Sequence, residues 1–151
     1  CFWCTEADSE KLEGVSDVIS GFTGGTTANP VYRVGKWGDH REAAQVIYDP
    51  ALISFEELVT HVYATIDYED LDGQFCDRGR SYSPAIYYKS EAEKLAIEKL
   101  APESSVVPIE PETKFYPVRT EHQGYYKKNP MRYTFYRNRC GRDQRIQELA
   151  K

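Results

Sequence analysis

No stretch of this chain approaches the roughly 20 consecutive apolar residues that carry a helix across a bilayer, so no segment reads as a membrane span. It has no basic run either, and a formal charge of −5 over 151 residues disfavours nucleic acid or an anionic membrane surface as a partner. Cysteine is sparse: Cys1, Cys4, Cys76 and Cys140 are too few and too dispersed for a disulfide-stapled mini-domain. They fit a reduced protein with a redox or nucleophilic thiol, and the expected compartment is cytoplasmic. The absence of H-E-x-x-H, of G-x-S-x-G and of a phosphate loop leaves zinc-protease, α/β-hydrolase and nucleotide chemistry without a signature. No internal repeat or linker divides the chain, whose 151 residues suit a single domain with its own core. There is no initiator Met or signal peptide to read a destination from.

What is present concentrates at the start. Cys1-Phe2-Trp3-Cys4 sets two large aromatics between two thiols, and Thr5-Glu6-Ala7-Asp8 follows as a capping box that opens a helix. Thiols at a helix N-terminus meet unsatisfied N–H groups and the positive end of the dipole, which favour the thiolate. The same residues also suit a packed core, since free Cys is commonly buried. One Cys-x-x-Cys without a second pair is weak support for zinc. Twelve tyrosines and six phenylalanines add apolar bodies, many with a hydroxyl handle, to core and pocket alike.

Along the chain, a helix is expected over residues 5–12, stopped by Gly14, then a strand over 15–22 broken by Gly24-Gly25. Residues 42–48 read as a second strand ended by Asp49-Pro50. Ser54 and Glu57 form a capping box ahead of an apolar face of Phe55, Leu58, Val59, Val62, Tyr63 and Ile66. A polar loop over 67–80 precedes a strand near 84–88. Ser90 and Glu93 then cap a helix whose core face is Ala92, Leu95, Ala96 and Leu100. Short strands are expected near 106–109 and 114–116, a helix over 121–129 ended by Pro130, and a tail with a short final helix after Gly141. This order of elements suggests an α+β sandwich rather than a doubly wound sheet.

Polar and aromatic groups beyond the needs of a core gather in four places: residues 1–4, Asn29-Pro30-Val31-Tyr32, Gly38-Asp39-His40-Arg41-Glu42, and residues 73–82. Taken singly, Glu42 and Asp77 read as solvated carboxylates or surface ion pairs, and His40-Arg41-Glu42 as a surface charge cluster.

Together and in order, the motifs resemble a known family. Cys1-Phe2-Trp3, Gly21-Phe22-Thr23-Gly24-Gly25, Asn29-Pro30-x-Tyr32, His40-x-Glu42, Gln74, Asp77-x-Gly79-x-x-Tyr82, Ala85-Ile86-Tyr87 and His122-Gln123-x-Tyr125 before Lys128-Asn129-Pro130 are similar to the A-type peptide methionine sulfoxide reductases. The match runs over essentially the whole chain. It implies a two-layer α/β sandwich around a mixed sheet with a ferredoxin-like core and an irregular C-terminal tail. It also implies a strand and a Gly immediately before Cys1, which this sequence does not carry, so that residues 1–151 form a single catalytic domain lacking that strand.

The implied reaction reduces the S epimer of methionine sulfoxide, free or in proteins, as repair of oxidative damage. Cys1 is the implied nucleophile, and Glu42 the proton donor, whose pKa must be raised by an apolar pocket. Tyr32 and Tyr82 grip the sulfoxide oxygen, Asp77 belongs to the polar wall, and Phe2 with Trp3 encloses the S-methyl group. Cys1 becomes a sulfenic acid, a second thiol closes a disulfide, and thioredoxin reopens it, with no metal or other cofactor. The resemblance sets the resolving cysteine in the tail at Cys140, flanked by Arg137, Arg139, Arg142 and the permissive Gly141. Cys4 and Cys76 remain alternatives; Asp77 beside Cys76 is expected to keep that thiol protonated and slow. A monomer is expected. Two other readings compete: an amidohydrolase acting through an N-terminal cysteine, and a non-catalytic redox or zinc thiol protein.

Overall fold

A computed structural model describes residues 2–26, 28 and 38–150, the side chains of Phe2 and Glu121 excepted. Cys1 and the segment 29–37, with Tyr32, lie outside the described residues. The first helix, α1 (Phe2–Glu10), begins ahead of the Thr5–Asp8 box rather than at it. Asp8 has another use: its buried carboxylate lies 2.8 Å from Arg137 and 3.7 Å from Arg142, far along the chain. Gly14, at φ 95°, turns the chain out of α1, and a Cβ there would meet Ile53 Cγ2 at 2.8 Å. Only glycine satisfies both constraints cheaply.

The turn delivers β1 (Val15–Thr23), which pairs antiparallel with β2 (Arg41–Tyr48) in a register that sets Phe22 opposite Glu42 and Thr23 opposite Arg41. The helix α2 (Phe55–Thr65) has the full capping box: Ser54 Oγ accepts the Glu57 N–H at 3.0 Å, and Glu57 accepts the Ser54 N–H at 3.4 Å. Leu58, Val59 and Tyr63 are buried on the anticipated face. Two short strands, β3 (Gly73–Gln74) and β4 (Asp77–Arg78), make a hairpin that runs into a 3₁₀ turn, Arg80–Tyr82.

Next come β5 (Ile86–Tyr88), α3 (Glu91–Leu100) and β6 (Ile109–Pro111), with β5 and β6 parallel. Ser90 caps α3 through the Glu93 N–H, but its inward face is only in part the anticipated one: Leu100 packs on the core as expected. Leu95 is 58% exposed while Ile97 is wholly buried with Val59, Tyr63 and Val107. β7 (Tyr116–Pro117) adds to the other edge of β1, so the larger sheet has the order β2-β1-β7.

The tail is more regular than expected. A 3₁₀ turn, Thr120–His122, and the left-handed Gly124 (φ 62°) replace the first half of the anticipated helix, leaving α4 (Tyr125–Lys128). Pro130 does not merely end a helix; it opens α5 (Pro130–Arg139), where its fixed φ and missing N–H cost nothing at the first position. Gly141 (φ 68°) then turns the chain into α6 (Arg142–Leu149). Helices and small antiparallel and parallel sheets thus make an α+β molecule.

Candidate active site

Trp3 stands in the first turn of α1, and its surroundings come from distant elements. Its ring stacks on Tyr125 at 4.0 Å between centroids and 13° between planes, lies nearly parallel to His122 at 6.2 Å, and meets Tyr136 edge-on at 6.0 Å. Trp3 also packs on the buried pair Phe22 and Val118. Behind it, Cys4, Ala7 and Tyr133 form a buried cluster. Cys4 is 1% exposed and looks into that core.

Glu42 enters the same neighbourhood through the sheet. It faces Phe22 across the β1–β2 ladder, and directly opposed residues of an antiparallel pair project to one side. Phe22, on which Trp3 packs, therefore shares a face of the sheet with Glu42. A cavity of about 400 Å³ opens between β2, α2 and β5, and both Glu42 and Tyr82 line it, with Gln74, Thr5 and Ala44. Tyr82 is brought there by the 3₁₀ turn after the hairpin.

The neighbours of Glu42 are not a surface cluster. His40 is buried, and its Nδ1 accepts the Gly25 N–H at 3.1 Å, so the proton of a neutral ring sits on Nε2. Arg41 is buried too: it donates to Tyr87 Oη at 2.8 Å, to Ser83 Oγ at 3.0 Å and to Glu110 at 3.2 Å. Both tie β2 to the surrounding loops by charge-assisted or neutral hydrogen bonds rather than facing solvent.

Asp77, at the start of β4, accepts a hydrogen bond from the hydroxyl of Tyr136 on α5. Burial, followed by that carboxylate, pushes the Tyr136 phenol far above its ordinary pKa, so it remains a donor. Tyr136 thereby joins Asp77 to Trp3, a link that residue spacing does not announce.

Cys76, at the tip of the β3–β4 hairpin, is bonded to Cys140 at the α5–α6 corner, with the two Cα atoms 5.2 Å apart. Cys140, expected to pair with Cys1, is here bonded to Cys76, the thiol expected to be slow. The charge of Asp77 was weighed there without its Tyr136 partner and without the docking of α5, which together bring Cys140 to the hairpin. Phe75 beside it has φ 57°, unusual for a side-chain-bearing residue, and its ring lies under the Arg142 guanidinium at 4.6 Å.

Two further groups escaped the reading of the sequence. Glu6, buried on α1, accepts from the Gly124 N–H and from Ser20 Oγ at 3.4 Å, and burial raises its carboxyl above the ordinary 4.5. Gln123 accepts the Ser20 N–H at 2.9 Å and donates to Ser20 O at 2.8 Å, completing one side of β1 as a strand would. Both hold the Tyr125 side of the aromatic wall in place. The signal for Gln123 lay in the His122-Gln123-x-Tyr125 motif, without its Ser20 partner; Glu6 stands in no such motif. Among the described residues no group of three or more His, Cys, Asp or Glu is arranged to hold a metal, and no helix is long and apolar enough to cross a membrane.

Comparison with known proteins matches residues 1–151 to the family described as peptide methionine sulfoxide reductase. A protein of Rhizobium meliloti named peptide methionine sulfoxide reductase MsrA 2 is 43% identical over 99% of this chain and 79% of its own length. One of Halalkalibacterium halodurans named peptide methionine sulfoxide reductase MsrA is 41% identical over 97% of this chain and 89% of its own. Among solved structures, methionine sulfoxide reductase A of Corynebacterium diphtheriae superposes with a TM-score of 0.76 at 30% identity, covering 86% of this chain and 71% of that one. Reduced Mxr1 from Saccharomyces cerevisiae gives 0.79 at 26% identity, covering 86% and 81%.

Proposed function

The chain belongs to the peptide methionine sulfoxide reductase family, and from that membership we propose how its own residues carry the reaction. The activity is the reduction of methionine sulfoxide to methionine. In our reading Cys1, directly ahead of α1, attacks the sulfoxide sulfur as a thiolate favoured by the helix N-terminus. Glu42 delivers a proton to the sulfoxide oxygen, which is otherwise a poor leaving group. Tyr32 and Tyr82 donate hydrogen bonds to that oxygen, Asp77 completes the polar wall, and Phe2 with Trp3 takes the S-methyl group. The substrate sulfur gains two electrons and leaves as the thioether, while the oxygen ends on Cys1 as a sulfenic acid. Cys140 condenses with it, releasing water and closing a Cys1–Cys140 disulfide that thioredoxin, as external dithiol, reopens.

The observation that carries this reading is the position of Phe22: Trp3 packs on it and Glu42 lies across the ladder from it. An apolar wall beside a carboxyl is what a methyl sulfoxide requires, a dry side for the methyl and a protonated acid for the oxygen. The substrate is the S epimer, free or in oxidised proteins. We take the chain as one catalytic domain, monomeric and cytoplasmic, where its thiols are reset. Its ferredoxin-like sandwich is supported by the packing of α2 and α3 with β5 and β6 in one core.

The deciding experiment is a single turnover without reductant, followed as methionine formed per enzyme. Wild type should form methionine, and Cys1→Ser should form none. Stoichiometric methionine from Cys1→Ser would remove Cys1 from the mechanism. An N-terminal-cysteine amidohydrolase predicts no methionine from either.

A further inference from the structure

Glu42 and Tyr82 stand on different elements, β2 and the 3₁₀ turn Arg80–Tyr82, yet the proposed reaction needs both at one oxygen. We propose that Arg41 and Arg80 are positioning residues that clasp this turn to the open end of the β1–β2 pair and so aim the Tyr82 hydroxyl. This rests on the reading of Glu42 and Tyr82 above and adds two arginines that it does not use.

The turn has little of its own to fix its direction. It is three residues long, follows Gly79 at φ 107° and has no side-chain cap at its start. Its internal hydrogen bonds run from the Tyr82 N–H to Gly79 O at 3.1 Å and from the Ser83 N–H to Arg80 O at 3.2 Å. Hydrogen-bond geometry in short 3₁₀ pieces is poor, so contacts with the rest of the molecule set where such a turn points.

Two arginines supply those contacts from opposite directions. Arg41, the first residue of β2 and the one before Glu42, donates from Nε to Ser83 Oγ at 3.0 Å. Ser83 Oγ donates in turn to Arg80 O at 2.7 Å, which passes the hold from β2 into the turn backbone. Arg80 reaches back the other way: its Nε donates to Asp39 O and its Nη2 to Gly24 O, both at 3.1 Å. Gly24 follows the last residue of β1 and Asp39 lies two before β2, just past the end of the ladder at Thr23 and Arg41. A planar guanidinium spans both strand ends with one rigid fork, which the point charge of a lysine does not do.

The anchor points are themselves held. The Arg41 side chain is 5% exposed and also donates to Tyr87 Oη and Glu110. The Asp39 carboxylate accepts the Thr26 N–H at 2.8 Å, and His40 Nδ1 accepts the Gly25 N–H at 3.1 Å, so the two strand ends are pinned together. Tyr82 sits two residues beyond Arg80 and directly before Ser83, so a slip at either anchor moves its ring. Catalytic hydrogen bonds lose effect steeply with small misplacements.

The test is a double-mutant cycle in the full chain, read as the single-turnover rate of methionine formation at saturating methionine S-sulfoxide without reductant. Arg41 is buried and carries several bonds, so its link to the turn is cut at Ser83 instead. Arg80→Ala and Ser83→Ala should each lower the rate roughly 3- to 10-fold. In a Tyr82→Phe background neither should lower it further, because the hydroxyl they aim is gone. Wild-type rates from both single variants would overturn the proposal. So would an equal further fall in the Tyr82→Phe background, which would make the clasp a support for the fold rather than for Tyr82. Tyr82→Phe alone at the wild-type rate would instead sink the Tyr82 reading, and the clasp's use with it, while leaving Cys1 and Glu42 in place.

Discussion

The hydroxyl of Tyr136, on the second-last helix, donates to the carboxylate of Asp77 in a hairpin 59 residues earlier. The same ring meets Trp3 edge-on. The tail is therefore part of the site wall, and three of its residues (Tyr136, Cys140 and Arg142) reach the hairpin that carries Cys76 and Asp77.

Tyr136→Phe removes that donor and keeps the ring against Trp3. A hydrogen bond to a charged group contributes about 1.5–3 kcal/mol, so the single-turnover rate should fall roughly 10- to 100-fold. Tyr136→Ala should be slower still. An unchanged rate for Tyr136→Phe, measured as methionine formed before any recycling, would remove the Asp77 contact from catalysis.

Glu42→Gln keeps the shape opposite Phe22 and removes the proposed proton donor. The reductase step should slow on the order of 10²-fold or more, while substrate binding changes much less. Rapid-quench turnover and a binding titration separate the two. A near-normal rate would return Glu42 to a purely structural place on β2.

The two epimers of methionine sulfoxide should differ sharply. In the proposed pose the methyl lies against Trp3 and the oxygen of the S epimer faces Tyr82 and Glu42, so the R epimer would turn its oxygen toward the aromatic wall. The lost hydrogen bonds are worth roughly 2–4 kcal/mol, tens- to several-hundredfold in rate. Equal rates on the separated epimers would refute this orientation.

Glu6 makes stability depend on pH in a defined direction. Burial raises its carboxyl above 4.5 in the folded state, so folding takes up a proton there. That contribution is complete below the unfolded pKa and is lost as pH rises through the folded one. Glu6→Gln can still accept from Gly124 and Ser20 but no longer titrates. Its Tm relative to wild type should therefore climb as pH rises from below 4.5 toward neutrality. A pH-independent difference in Tm would show that Glu6 does not titrate over this range.

Interactions within a few residues were legible in the sequence. The Ser54–Glu57 box, the Ser90 cap and the Gly14 turn are local, and the structure has each of them. The Cys1-Phe2-Trp3 and Asp77-x-Gly79-x-x-Tyr82 motifs carried the family resemblance, which the match over residues 1–151 bears out. Local signals failed wherever a distant partner competed. Asp8 pairs with Arg137 and Arg142 rather than opening α1 as part of a cap, and Ile97 displaces Leu95 from the core because the side of α3 that faces Val59 and Tyr63 was set by the packing. Pro130 starts a helix that the sequence reading left as tail, since α5 is held mainly by Tyr133 and Tyr136 packing on α1. Cys76 and Cys140, 64 residues apart, have unlike immediate neighbours and yet share one disulfide. Charge and propensity within a turn of each cysteine are properties of the sequence; which thiol meets which depends on how the α5–α6 corner docks, and that the tertiary packing alone decides.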